Sequence, residues 1–341
     1  MLIQGKKDLL SRLLFGGPRI GERFLGNGPN GRLTVLAYHR IGSLPGEDYP
    51  FQDEIISATP DEFDRQLEFV KTHFNLVNFH QLAEMDKKNE PYPPRPAIIT
   101  FDDGYADNYS EALPILRSHG LTATIYVSTH FIDAQEPFWF DMLSYYVMRM
   151  KAGLLQINRG SIKIDLTDQN RRSVRRDIGR ALRVVSDKTR KLILNELREQ
   201  CDNEPTTDEL ELVRTMTWDE IRQLDGAGIE IGSHTVSHPF LVQLTDRELR
   251  HELAESKERI EEETGTTVSS LSYPSGGSEN FDARSVRLAR ELGYSFAVSY
   301  DHKIATVANM DRYAVPRVHV EPDVKLPLFK ANMLLPALFV R

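Results

Sequence analysis

The chain has 341 residues, 40% hydrophobic and 27% charged, which is ordinary for a soluble globular protein and enough for one large domain or two small ones. A formal net charge of −8 argues against nucleic acid as a partner, and Cys201, the single cysteine, excludes an intrachain disulfide and fits a reducing compartment. No apolar run reaches the roughly 18 residues of a membrane-spanning helix, so no transmembrane segment is expected.

Met1 to Gly17 holds Lys6, Lys7 and Arg12 but no apolar run long enough for a signal peptide, so the expected location is cytoplasmic. Leu9, Leu10, Leu13 and Leu14 read as a short amphipathic helix that either docks on the domain or makes a peripheral membrane contact. Leu33 to Tyr38 reads as a first strand, ended by His39-Arg40. Thr59-Pro60-Asp61-Glu62 is a capping box with proline at the first helical position, and Phe63, Leu67 and Val70 then recur on one helical face. Thr217 to Glu220 and Thr245 to Glu248 repeat this start signal, the second opening a helix with Leu249, Leu253 and Ile260 on one stripe. Between the helices lie short apolar runs at 97–101, 123–127, 229–231, 269–273 and 295–299. Strands alternating with helices imply an α/β fold with a mostly parallel sheet. Reactive residues at several strand ends favour a closed or nearly closed barrel over an open doubly wound sheet.

The long interval from Val127 to Met216 breaks the alternation. Phe138-Trp139-Phe140 leads into a helix through about Met150, 154–158 and 161–166 form a hairpin around Arg159-Gly160, and two charged helices follow near 168–185 and 187–201. The expected organisation is an N-terminal extension over 1–30, a barrel over 31–127 and 216–322, an inserted, mainly helical subdomain over 128–215, and a C-terminal tail over 323–341. Within 171–191 nine Lys or Arg stand against two Asp, a solvated helix face or a contact for an anionic glycan or lipid headgroups.

The densest chemistry is Thr100-Phe101-Asp102-Asp103-Gly104-Tyr105. Neighbouring side chains on a strand point to opposite faces, so two adjacent Asp cannot both enter an apolar core; they belong at a strand end, with Gly104 as the turn. Ser233-His234-Thr235-Val236-Ser237-His238 follows a second apolar run, and a helical turn there would set His234 and His238 on one face. Two imidazoles and one carboxylate make a three-ligand catalytic metal site, zinc being suited to these donors, with one Asp left over as a base.

These residues, Thr-Phe-Asp-Asp-Gly followed by Ser-His-x-x-x-His, resemble the polysaccharide deacetylases of carbohydrate esterase family 4, over about residues 33–320. The resemblance implies a distorted (β/α)7 barrel, a divalent metal (Zn2+, with Co2+ or another ion as alternatives) and hydrolysis of N-acetyl groups on the amino sugars of a glycan or glycolipid. It implies Asp102 as general base, Asp103, His234 and His238 as metal ligands, and the Ser275 amide as oxyanion donor. The third motif departs from the family's Arg-Pro-Pro-Tyr-Gly: here it reads Ser272-Tyr273-Pro274-Ser275-Gly276, without the Arg that orients the base. Arg317 is the nearest replacement, and Tyr273 is counted with Ser275 on the substrate side. The acid that protonates the leaving amine is expected to be His319, with His39, at the mouth of the site, as the other candidate. A deformylase or cyclic-imide hydrolase on the same metal, and an inactive glycan-binding relative, are the rival functions.

Overall fold

A computed structural model describes residues 2–16, 31–46 and 48–340; positions 17–30 of the expected N-terminal extension lie outside them. Its central strands are buried on both faces, as in a parallel sheet wrapped by helices. Seven of them form the barrel: β1 Arg32–Tyr38, β2 Pro96–Phe101, β3 Thr124–Val127, β4 Glu230–Ser233, β5 Ser270–Ser272, β6 Phe296–His302 and β7 Val315–His319. Each is parallel to the next, from Leu36↔Ile99 between β1 and β2 to Val298↔Val315 between β6 and β7. β7 then returns to β1 through Leu36↔Val318 and Ala37↔His319, so the sheet closes, as expected, and an open doubly wound sheet is excluded. The distortion is visible where β4 and β5 share only the pair Leu271↔Ser233 and where the register of β6 against β7 shifts between Val298 and His302.

Alternation along the strands divides the core. Leu36 and Tyr38 of β1 join Ile99 and Phe101 of β2 in a large outer cluster with Phe63, Leu67 and Val70 from the helix Pro60–His73. Leu33, Val35, Ile98, Tyr126, Val298 and Val315 make a second cluster from the opposite strand faces. Gly232 belongs beside it, because a Cβ there would stand 2.5 Å from two ring carbons of Tyr126. All three expected capping boxes form, at Thr59, Thr217 and Thr245, opening the helices Pro60–His73, Trp218–Gly226 and Asp246–Thr264.

The chain divides into two compact units, one of residues 1–44, 54–133 and 216–341, the other of 45–53 and 134–215. The second holds the helix Trp139–Arg149, the hairpin Gly153–Ile157 with Ile162–Leu166, and the helices Arg171–Leu182 and Asp187–Gln200. The first includes helices at both ends of the chain, Leu2–Phe15, Leu326–Leu334 and Pro336–Phe339, whose Phe15, Phe329 and Phe339 join the outer cluster.

Candidate active site

The reactive residues gather where the barrel strands end, the rim that carries the site in such barrels. Asp102 extends β2 by one residue, its amide donating to Tyr38 O at 3.0 Å. Asp103 (φ +74°) and Gly104 (φ +80°) then turn the chain in the left-handed region. Both carboxylates are buried.

Asp102 is gripped by Arg317 of β7. Nη1 lies 2.8 Å from Oδ1 and Nη2 2.7 Å from Oδ2, a two-pronged guanidinium–carboxylate pair. The remaining donors go to Ser299 O (2.9 Å), Thr100 Oγ1 (3.1 Å) and Ser272 Oγ (3.1 Å), so five contacts match the five N–H groups of a fully buried arginine. Burial alone would raise the Asp102 carboxyl, but the charge of Arg317, then that of His234, overrides it and holds the group well below the usual carboxylate range. Each oxygen keeps a lone pair beyond the one given to arginine. Arg317, the expected replacement for the arginine absent from the third motif, thus contacts Asp102 from another strand.

Asp103 Oδ1 lies 3.5 Å from His234 Nε2 and 3.5 Å from His238 Nε2. Donor atoms about 2.1 Å from one tetrahedral ion stand about 3.4 Å apart, so this spacing suits a metal such as zinc. The three ligand atoms all lie within 4.8 Å of one another. His234 Nδ1 donates to Ser272 O at 2.8 Å; a carbonyl only accepts, so Nδ1 carries a hydrogen and Nε2 is the ring nitrogen turned to Asp103. Burial raises the Asp103 carboxyl, and contacts with His234, His238 and His39 more than offset this, leaving it below its ordinary value.

The histidine pair converges by a different route from the one expected. The segment 234–238 is not helical: Thr235 (φ +67°) and His238 (φ +54°) both take left-handed backbone. A helical face is replaced by a loop folded back on itself, with the His238 amide on Thr235 Oγ1 at 3.2 Å. Glu252, buried on the helix Asp246–Thr264, clamps this loop. One oxygen accepts from the Val236 and Ser237 amides, each at 2.8 Å, and the other from Ser237 Oγ at 2.6 Å. Sequence reading passed over Glu252, although a glutamate one helical turn into an otherwise regular stripe, beside Leu253, was a usable signal.

His39 stands at the end of β1 with its backbone pinned from both sides. Its amide donates to Ser57 Oγ (3.0 Å) and its carbonyl accepts from Asn108 Nδ2 (2.8 Å). The neighbouring Arg40 is locked to Asp107 at 2.7 Å. The half-buried His39 ring lies near enough to the pair of carboxylates to stabilise the charge of both.

Three further expected residues remain, Ser275, Tyr273 and His319, and the last two stand away from their expected roles. The Ser275 amide, in a left-handed turn (φ +52°), has no acceptor among the described residues, while its carbonyl takes both Gly277 N and Asn280 Nδ2. Tyr273 does not line a groove: it is fully buried, stacked on Phe281 at 4.1 Å, with its hydroxyl on Tyr313 O. Its side chain follows the outward alternation from Leu271, which places it in the outer cluster. His319 is a poor acid. Nε2 donates to Tyr300 O at 2.8 Å, the ring stacks on Tyr300 at 3.7 Å, and burial, with help from His302, pushes its pKa down to about 3. At neutral pH its one N–H is therefore already given to a carbonyl. Tyr300, also missed in the sequence, packs between the His39 and His319 rings.

The family profile for polysaccharide deacetylases matches residues 89–195 and 199–297. The Bacillus subtilis protein YxkH, described as a polysaccharide deacetylase, is 20% identical over 301 residues, spanning 88% of this chain and 75% of its own. Among solved structures the chain is similar to the Streptococcus pyogenes deacetylase PplD in complex with acetate (TM-score 0.60, 18% identity, 90% of this chain and 99% of that one). It is also similar to a de-N-acetylase from Aggregatibacter actinomycetemcomitans (TM-score 0.52, 17% identity, 84% and 94%). With its closed seven-stranded barrel and the profile match across most of its length, the chain belongs to the polysaccharide deacetylase family, hydrolases of the carbon–nitrogen amide bond.

Proposed function

We propose that the chain is a metal-dependent N-deacetylase acting on amino sugars of a polysaccharide or glycolipid, in carbohydrate metabolism such as exopolysaccharide synthesis. The observation that carries this is the meeting of Asp103, His234 and His238 beside a second carboxylate held by a buried arginine. The acetate in the PplD structure is the product class such a reaction releases.

In this reading Asp103 and the Nε2 atoms of His234 and His238 hold a divalent cation, zinc by donor chemistry. When bound, the metal supplies Lewis-acid polarisation of the amide carbonyl and of the attacking water. Asp102, kept ionised by Arg317, takes the proton of that water on a free carboxylate lone pair. The Ser275 N–H donates to the oxyanion that develops on the carbonyl carbon's oxygen. His39 delivers a proton to the amine nitrogen as the carbon–nitrogen bond breaks, in place of His319, whose N–H is committed to Tyr300 O.

The test is acetate and formate release from partly N-acetylated and N-formylated amino-sugar oligosaccharides, with protein stripped of metal and then given zinc or cobalt. Acetate release that needs metal and disappears in Asp102→Asn is expected. Formate without acetate would move the assignment to a deformylase. Absence of both, with no stoichiometric metal uptake, would make the chain a non-catalytic glycan binder.

A further inference from the structure

The helix Leu2–Phe15 exposes more apolar surface than a helix that only completes a core needs to. At 100° per residue, Ser11 and Phe15 share the face turned inward, and both are buried. Leu9 and Leu13 lie on the opposite face, 62% and 68% exposed, and Leu10, beside them, is 44% exposed. Ser11, Phe15 and the half-buried Leu14 make the contact, while Leu9, Leu10 and Leu13 meet water, so apolar side chains stand on the outward face as well as the inward one. The inward face is nevertheless fixed: Lys7 Nζ donates to Phe339 O at 2.6 Å, and Ser11 Oγ returns to Asp8 O. The adjoining helix Pro336–Phe339 adds Leu338, 60% exposed. Leu9, Leu10 and Leu13, three exposed leucines within five residues of one helix, form an apolar stripe rather than scattered singletons.

Charge says what suits it. The whole chain carries −8, yet residues 2–15 hold Lys6, Lys7 and Arg12 against Asp8 alone. At 100° per residue Lys6 falls between Leu13 and Leu10, and Arg12 lies on the Leu9 side, 2.9 Å from Asp8; both are exposed. A stripe of leucine accompanied by cations on an acidic protein is the pattern of a helix lying in the headgroup layer of an anionic bilayer. We infer that this terminal-helix patch is a peripheral docking surface for an anionic lipid bilayer, with Leu9 and Leu13 entering the acyl boundary and Lys6 and Arg12 meeting the phosphates.

The experiment is flotation of the full chain with phosphatidylcholine vesicles that contain a minority of phosphatidylglycerol, against pure phosphatidylcholine. Wild type is expected to float with the anionic vesicles only, and less so as salt rises. Leu9→Glu with Leu13→Glu should lower partitioning at least about tenfold, and Lys6→Glu with Arg12→Glu should lower it too. Both double variants should keep the wild-type melting temperature, because the altered side chains are exposed. Equal flotation of the leucine variant and wild type, or no flotation of wild type, overturns the inference. So does a wild-type dimer in solution that the leucine variant dissociates, which would assign the patch to a second copy of the chain.

Discussion

Replacing Arg317 with lysine tests the central electrostatic arrangement, because it keeps the charge and removes the fork. Arg317 spends five donors on Asp102, Thr100, Ser272 and Ser299. Lysine offers three, from a single point, and cannot span both Asp102 oxygens in the same plane. Removing one partner of a buried pair outright costs about 3–5 kcal/mol, so lysine, which retains part of the attraction, should cost about 2–3 kcal/mol. At about 2–4 °C per kcal/mol for a domain of this size, the melting temperature should fall by about 5–10 °C. The turnover number should fall about a hundredfold, since Asp102 loses its fixed orientation, while substrate KM changes little. Arg317→Met should be worse in stability, and Arg317→Met with Asp102→Asn should cost less than the two single changes together, because neither is then left as a lone buried charge. Thermal melts and steady-state acetate release read all of this. An Arg317→Lys protein with wild-type melting and turnover would refute the reasoning.

Other consequences are as direct. Glu252→Ala should weaken zinc binding about 10–100-fold, as loss of a supporting contact does, measured by competition with a chromophoric chelator; unchanged affinity would make Glu252 merely structural. His39→Gln should cut turnover strongly with metal binding intact, whereas His319→Gln, whose amide can still donate to Tyr300 O, should retain most activity. His319 also sets an acid sensitivity. Its folded pKa is depressed to about 3 against about 6.5 unfolded, so the unfolded chain binds the extra proton between those values. The contribution is fully present above about pH 6.5 and is lost as pH falls toward the folded value; His319→Gln should flatten that part of the stability profile in melts from neutral pH downward.

Much of this site was written locally. Asp-Asp after an apolar run, the two histidines after another, and three Thr-x-x-Glu caps are short-range patterns, and each appears at the end of the element it announced. Elements with weaker local grammar were harder: β7 contains Pro316 and a charged residue, so it stood out as a strand only once both neighbours were in place. Pairings across long separations carry no local mark. Arg317 and Asp102 stand 215 residues apart, and only the arginine missing from the third motif pointed to Arg317 as the partner of the base. Tyr273 was misplaced for a related reason. Its motif suggested a loop at the site, but the pleat of β5 sends residue 273 outward, with Leu271, while Ser270 and Ser272 face inward. The expected helix at 234–238 failed because residue spacing alone cannot distinguish a helical turn from a loop that brings the same two side chains together.

That loop points to a general feature of the site. Asp103, Thr235, His238 and Ser275 are four of the nine non-glycine residues in left-handed backbone among the described residues, and all four lie at the proposed metal triad or the proposed oxyanion turn. Threonine in particular resists this conformation, since its branched Cβ crowds the carbonyl. Such residues persist only when surrounding contacts over-determine them, and those contacts can be named. Met216 N on Gly104 O and His130 N on Val236 O tie down the turns from neighbouring segments, Glu252 holds the histidine loop from a helix, and Asn280 holds the Ser275 carbonyl. None of these anchors is a ligand or a base. The barrel therefore supplies more than a rim on which reactive groups happen to gather: its strand-end loops are bent against local preference, and the chain's own contacts hold Asp103 Oδ1 3.5 Å from the Nε2 atoms of His234 and His238.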